Sequence, residues 1–465
     1  MQLLKKIIGI GLLSISIAYN PSMAQKGNNG EQPNIIFIMA DDLGYADLGA
    51  YGQQLIQTPN IDALASEGML FSQAYAGGPV CTSSRSVLMT GQHNGHTVAR
   101  DNVPHFPTYL KKGDITLAMV LKEAGYSTGG VGKWSLGDAH TEGRATNMGF
   151  DTWTGYLNQD HAHYYYPSYL DHDDRKILLP DNPILRNNYS HDILTNATLN
   201  FIRNNSNTPF FFYSAYTIPH FSALEEDEHG VTVPFTYPYT DKDWPEAAKK
   251  YAAMIYRLDK DVGKIVKLID ELGIRENTLI IFTSDNGGHS DTWKGFKTNG
   301  LLKGYKRDMY EGGIRVPFIA SWPGVIPAGQ QSDEVIGFQD MLPTFAGLAN
   351  EALPENIDGV SVIEAMKGKA LPANDRVLYW DFGHARKRYD QAVRIGKWKG
   401  IRRGKGQAIE IYDLARDISE QHNLANDHPE LVNKIDSLME AMVISSPRYP
   451  VGEVYNGGPI WKKDW

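Results

Sequence analysis

The sequence predicts an α/β chain: a mixed, largely parallel central sheet sandwiched by helices, followed by a smaller C-terminal antiparallel-sheet subdomain. Three observations carry this. Short, continuously apolar runs such as Asn34–Ala40 and Thr278–Thr283 read as strands buried on both faces, because a half-exposed strand alternates in polarity. Amphipathic, helix-length segments separate these runs, as in sheets whose strands are joined by crossover helices. After about Gly368 the chain changes to short strands and turns closed by one helix.

In order along the chain, residues 1–24 carry Lys5 and Lys6, an apolar run from Ile7 to Ala18, and Ser22-Met23-Ala24 before Gln25. This is the pattern of a cleavable export signal, and it predicts a periplasmic or secreted protein cut after Ala24. No cysteine follows the run to accept a lipid, and no later stretch reaches the roughly 18 apolar residues that span a bilayer. The mature chain is divided into a catalytic domain over 31–368 and an α+β subdomain over 369–465.

After the strand Asn34–Ala40, Thr58-Pro59 opens a helix that Gly68 ends, and Thr116–Ala124 is a second helix ended by Gly125. Tyr126–Val131 reads as strand, His191–Asn204 as helix, Pro209–Ala215 as strand and Pro245–Leu272 as a long amphipathic helix. Val316–Trp322 is a further strand, with a helix near Asp340–Asn350. In the last part Arg376–Phe382, Gln391–Arg402 and Ala408–Leu414 read as antiparallel strands and His428–Met442 as an amphipathic helix.

Composition narrows the function. The 465 residues are 42% hydrophobic and carry a net charge of -9, enough core for a large enzyme and no basic footprint for nucleic acid. The single cysteine, Cys81, can form no internal disulfide. It opens the stretch CTSSRSVLMTG, in which a helix begins near Cys81 and Arg85 follows one turn later. Free N–H groups, the helix dipole and Arg85 favour an anion there. A free cysteine is most often a small buried hydrophobe; the alternative here is a thiolate nucleophile activated by the helix end.

Two acidic pairs end buried strands: Asp41-Asp42 after the first, and Asp285-Asn286 after Thr278–Thr283. In open α/β sheets ligands bind at the carboxyl ends of strands. If the pairs meet, three carboxylates share one pocket, where unit charges about 4 Å apart repel by about 4 kcal/mol at an effective dielectric of 20. Such a cluster requires a cation, and all-oxygen ligation selects Ca²⁺ or Mg²⁺ over Zn²⁺.

These motifs together resemble the sulfatase family, of alkaline-phosphatase-like fold. Cys81, Arg85, Thr90 and Gly91 match its signature, Cys-x-Pro/Ala-x-Arg followed by Thr-Gly, with Ser83 where Pro or Ala is usual. Gly132-Lys133-Trp134-Ser135-Leu136-Gly137 is similar to GKWHLG, with Ser135 in place of the histidine; His161 and His163 are candidates to take over its role. Pro219-His220 resembles the family's Pro-His, and Lys306 with Tyr310–Pro317 resembles GxK…EGGxRxP. The likeness runs in order from about Asn34 to Pro323.

The resemblance implies that a maturation enzyme oxidises Cys81 to formylglycine, whose hydrated aldehyde attacks sulfur. It implies calcium held by Asp41, Asp42, Asp285 and Asn286 with position 81. Arg85, Lys133 and Lys306 would neutralise the sulfate, and His220 would protonate the departing alcohol. The expected substrate is a sulfated saccharide or another sulfate ester. Candidate sugar contacts are Arg100, Asn102, His161, His163, Asn299, Lys303, His384 and Arg386, with Tyr164–Tyr166 as a stacking surface. Two alternatives remain: a phosphodiester or phosphonate hydrolase of the same superfamily, and a non-catalytic sulfated-glycan-binding protein.

Overall fold

A computed structural model describes residues 32–102, 109–222, 230–372, 376–384 and 388–444. The signal segment expected at 1–24, and Arg386, lie outside them. Among the described residues no helix is long and apolar enough to cross a membrane.

The strand Asn34–Ala40 is buried along its whole length because both of its faces are covered. Ile35, Phe37 and Met39 pack on one side, with Val87–Met89 of the helix Cys81–Thr90 and with the helices Leu117–Glu123 and Met341–Leu348. Ile36, Ile38 and Ala40 pack on the other, beneath the helices Pro59–Ser66, Ser190–Asn205 and Glu246–Glu271. Alternate residues thus face two apolar layers, which is why the run shows no polar alternation.

From edge to edge the large sheet runs Gln330–Ser332, Met69–Tyr75, Arg315–Ser321, Thr278–Ser284, Asn34–Ala40, Phe210–Ala215, Ser127–Lys133, Thr152–Tyr156, Tyr169–His172 and Arg175–Leu178, with Ile336–Gly337 also pairing to Met69–Tyr75. The five strands from Thr278–Ser284 to Thr152–Tyr156 are mutually parallel. Arg315–Ser321 is antiparallel to both of its neighbours, and the Tyr169–His172 and Arg175–Leu178 edge is antiparallel too. The sheet is therefore mixed and largely parallel, as expected. The outer strands have no long apolar run, because each is covered less completely than the centre.

The second sheet has four antiparallel strands, Val377–Phe382, Asp390–Ile395, Trp398–Arg403 and Ile409–Asp413. The segment read as one strand over Gln391–Arg402 is two, because Gly396, at φ 53°, turns the chain with Lys397. Ile435 and Met439 of the helix Pro429–Ala441 cover one face of this sheet. Leu378 and Trp380 pack with Tyr75, Tyr310 and Ile314 of the larger unit. A buried ion cluster fastens the same junction: Lys399 Nζ lies 2.9 Å from both Glu311 and Glu420, and Arg315 and the Tyr75 hydroxyl also donate to Glu311. The Glu311–Arg315 motif thus ties the two sheets together.

Candidate active site

Parallel register assembles the centre. Ala40 is aligned with Ser284, so both chains leave the sheet at one edge, and the Asp42 N–H donates to Asp285 Oδ1 at 3.1 Å. Asp42 turns there in the left-handed region, at φ 63°. Lys133 ends a strand two places along the same sheet, and its Nζ donates to Asp41 Oδ2 at 2.7 Å. Behind Val80, whose backbone is extended, Cys81 is the first residue of its helix; Asn102 Oδ1 accepts the Thr82 N–H at 2.8 Å.

Cys81 is fully buried, with Sγ 3.3 Å from Asp41 Oδ1 and 3.5 Å from Lys306 Nζ. Lys306 also donates to Asp42 at 2.8 Å and to His220 Nε2 at 3.0 Å. Arg85, one turn into the helix, reaches Asp285 at 2.7 Å, Asp41 at 3.3 Å and the Lys133 carbonyl at 2.7 Å. It is wholly buried, and its guanidinium positions the Asp41 and Asp285 carboxylates.

Three carboxylates and three cations thus compensate one another. Burial would raise the Asp41 carboxyl, but the Lys133, Arg85 and Lys306 charges hold it below the usual carboxylate range. Burial and Asp41 push Asp285 upward against the pull of Arg85. Burial, then the Asp285 and Asp41 charges, push the Cys81 thiol up to about 12. Burial and the acidic neighbours thus favour the protonated thiol over the thiolate. Burial, Lys306 and Lys133 hold His220 well below its ordinary value, so the imidazole is neutral and Lys306 is the charged member of the pair.

The donor set fits a hard divalent cation. Asn286 Nδ2 donates to Asp42 Oδ1 at 2.7 Å and to the Gly287 carbonyl, while its buried Oδ1 has no hydrogen-bond partner. A buried, unpaired amide oxygen beside three carboxylates is an unused ligand. Donor atoms of Asp41, Asp42, Cys81 and His220 also lie within 4.8 Å of one another.

The other candidates separate. Ser135, at φ 63°, donates to Gln159 Oε1 at 2.9 Å, so a Ser–Gln pair stands where the resemblance would put histidine. His163 packs edge-on against His220, ring centroids 4.6 Å apart; His161 is packed between Tyr156 and Tyr169 near Asp171, away from the centre. Five expected sugar contacts are engaged within the fold. Arg100 donates to the Thr97 and Ile444 carbonyls, and buried His384 pairs with Asp381 at 3.0 Å. Lys303 donates to the Glu420 carbonyl and lies over the Tyr310 ring. Asn299 bridges Gly288 and Gly304, and Asn102, as above, holds the start of the Cys81 helix. Adjacency to a motif in sequence was the only signal for these residues, and it does not say which way a side chain faces.

The Sulfatase family profile matches residues 33–351, and that of the N-sulphoglucosamine sulphohydrolase C-terminal region matches 303–445. The chain is 28% identical to the N-acetylgalactosamine-6-O-sulfatase of Bacteroides thetaiotaomicron over 95% of its own length and 98% of that protein. It is 32% identical to the arylsulfatase of Hemicentrotus pulcherrimus, covering 79% of this chain and 67% of that one. The crystal structure of Ps i-CgsB in complex with k-i-k-neocarrahexaose superposes with a TM-score of 0.78 at 30% identity, covering 92% of this chain and 95% of that one. With the Cys81 and Asp41-Asp42 motifs meeting at one sheet edge and the family profile spanning most of the chain, this protein belongs to the sulfatase family, the sulfuric ester hydrolases of the alkaline-phosphatase-like superfamily.

Proposed function

We propose that the protein releases sulfate from a sulfated carbohydrate outside the cytoplasm, using formylglycine made from Cys81 and a calcium ion. The observation that carries this is the placement of Cys81, buried at a helix start and in contact with both Asp41 and Lys306. The relatives named above for acting on N-acetylgalactosamine sulfate, or solved with a carrahexaose, support a carbohydrate substrate. The leader at 1–24 and the division at residue 368 are part of the same proposal.

Asp41, Asp42, Asp285 and Asn286, with position 81, would hold the ion. A bound Ca²⁺ withdraws charge from the sulfate oxygens and makes the sulfur more electrophilic. The chain's own groups do the rest. Position 81, once oxidised by a maturation enzyme and hydrated, presents a hydroxyl to sulfur. Lys133 and Lys306 bind the sulfate oxygens, and Arg85 keeps Asp41 and Asp285 in place. The Lys306–His220 pair supplies the proton to the departing alcohol oxygen, with Lys306 holding it at rest.

The mass of the Cys81 peptide tests the nucleophile. Protein made in a host with a maturation enzyme should lose about 18 Da at that residue, the difference between thiol and aldehyde. An active preparation carrying only unmodified cysteine would overturn the assignment. Comparing aryl sulfate with aryl phosphate hydrolysis separates a sulfatase from a phosphate or phosphonate hydrolase.

A further inference from the structure

Next to Lys306 stands a residue that the mechanism does not use. Arg307 is exposed, and its backbone lies in the left-handed region at φ 77°. Its N–H is fixed to the Pro79 carbonyl at 2.9 Å, on the loop that leads into Cys81. A non-glycine residue held there costs on the order of 1 kcal/mol or more, and glycine would occupy the turn without strain.

Arg307 is also the uncompensated charge of the site. Arg85, Lys133 and Lys306 are each paired with Asp41, Asp42 or Asp285, whereas the Arg307 side chain makes no ion pair or hydrogen bond among the described residues. Its charge is felt by two histidines of the site. After burial and Lys306, with Lys133 also acting on His163, it helps hold His163, packed on His220, and His289, stacked on Phe221, below their ordinary values. In a chain of net charge -9, a polyanionic saccharide is attracted only where a local cation is left free.

We infer that Arg307 binds a second anionic group of the saccharide, so that the substrate carries a negative charge beyond the sulfate ester being cleaved. This rests on the sulfatase reading above. The guanidinium fork suits either a second sulfate or a uronate carboxylate, and the Arg307 backbone is anchored to the Pro79 carbonyl and follows Lys306, which would hold the scissile sulfate, in the chain.

The test uses the full-length matured enzyme, its R307Q variant and R307G, which keeps the turn free of strain if the glutamine variant folds poorly. Hydrolysis of 4-nitrophenyl sulfate is measured with four competitors: inorganic sulfate, D-glucosamine-2-N,6-O-disulfate, a monosulfated uronate disaccharide, and its carboxyl-reduced form. At least one doubly anionic saccharide should inhibit the native enzyme about tenfold more tightly than either variant, equivalent to about 1.4 kcal/mol. Inhibition by inorganic sulfate should not change. Preference for the disulfate names a second sulfate as the ligand, and preference for the uronate over its reduced form names the carboxylate. The inference fails if no doubly anionic saccharide distinguishes native from variant enzyme, including the case in which none inhibits, or if inorganic sulfate weakens in parallel. Lack of any 4-nitrophenyl sulfate turnover by the native matured enzyme would instead count against the sulfatase reading itself.

Discussion

Arg85 and Asp285 form an ion pair at 2.7 Å in which both side chains are entirely shielded from water. The pair joins the helix that presents Cys81 to the strand end that presents Asp285 and Asn286, so the guanidinium sets the distance between nucleophile and ion site. Removing one member of a buried pair leaves the other charge uncompensated, at a cost of about 3 to 5 kcal/mol. Arg85→Met should destabilise the protein by that order in urea unfolding, and Arg85→Lys should retain part of the stability while turnover falls. A methionine variant of native stability would show that Asp285 does not depend on this charge.

The unpaired Asn286 oxygen makes a separate prediction. Asn286→Leu keeps the volume and removes the ligand, so it should raise the calcium concentration needed to restore activity after chelation by tenfold or more, on the scale of losing a coordinating group. Asn286→Asp keeps an oxygen and should bind calcium far better than the leucine variant. Calcium titration of chelated protein by calorimetry measures both, and equal affinities would remove Asn286 from the ligand set.

The Lys399 cluster joins the two sheets. Lys399→Met leaves Glu311 and Glu420 facing each other in a buried space, with a loss of about 3 to 5 kcal/mol expected. Below the new unfolding temperature, KM for an aryl sulfate should be unchanged. A KM that rose in parallel with the stability loss would mean that the second sheet shapes the cleft directly.

Asp47 predicts a pH effect away from the centre. The Tyr251 hydroxyl, the Thr298 hydroxyl and the Gly44 N–H all donate to Oδ2, and buried Oδ1 has no partner. Burial pushes this carboxyl from 3.8 up to about 7 despite those donors. Between these values the folded protein holds a proton that the unfolded chain has released. Stability from this group is therefore present below pH 4 and declines as pH rises through 7, by an amount on the order of 4 kcal/mol. Asp47→Asn should flatten that decline and leave the variant relatively more stable at pH 8 than at pH 4. Parallel urea midpoints for the two proteins across this range would contradict the assignment.

The central strands and the helix at Cys81 were legible because burial on both faces imposes an uninterrupted apolar run, and because Pro, Gly and Thr mark the helix ends. Thr116, read as the start of a helix, does cap Leu117–Glu123 by accepting the Met119 N–H. The outer strands were not legible. Arg175–Leu178 has almost no buried residue, and a strand recruited by its neighbour's free edge leaves little trace in its own composition. Ser135 is a further case: the sequence showed that histidine was missing, but only the fold showed Gln159 at its hydroxyl.

By itself, the sequence determined the layered α/β class, the acidic pairs at the strand ends and the cysteine–arginine helix, since each follows from local periodicity and chemistry. Tertiary structure decided what each charge faces. Arg85 turned inward to Asp285, Lys303 and Arg100 turned to backbone carbonyls, and the Arg307 side chain was left without a partner among the described residues. A side chain's partner depends on register and loop packing between residues hundreds of positions apart, such as Lys306 and Asp42, and no local pattern encodes that distance.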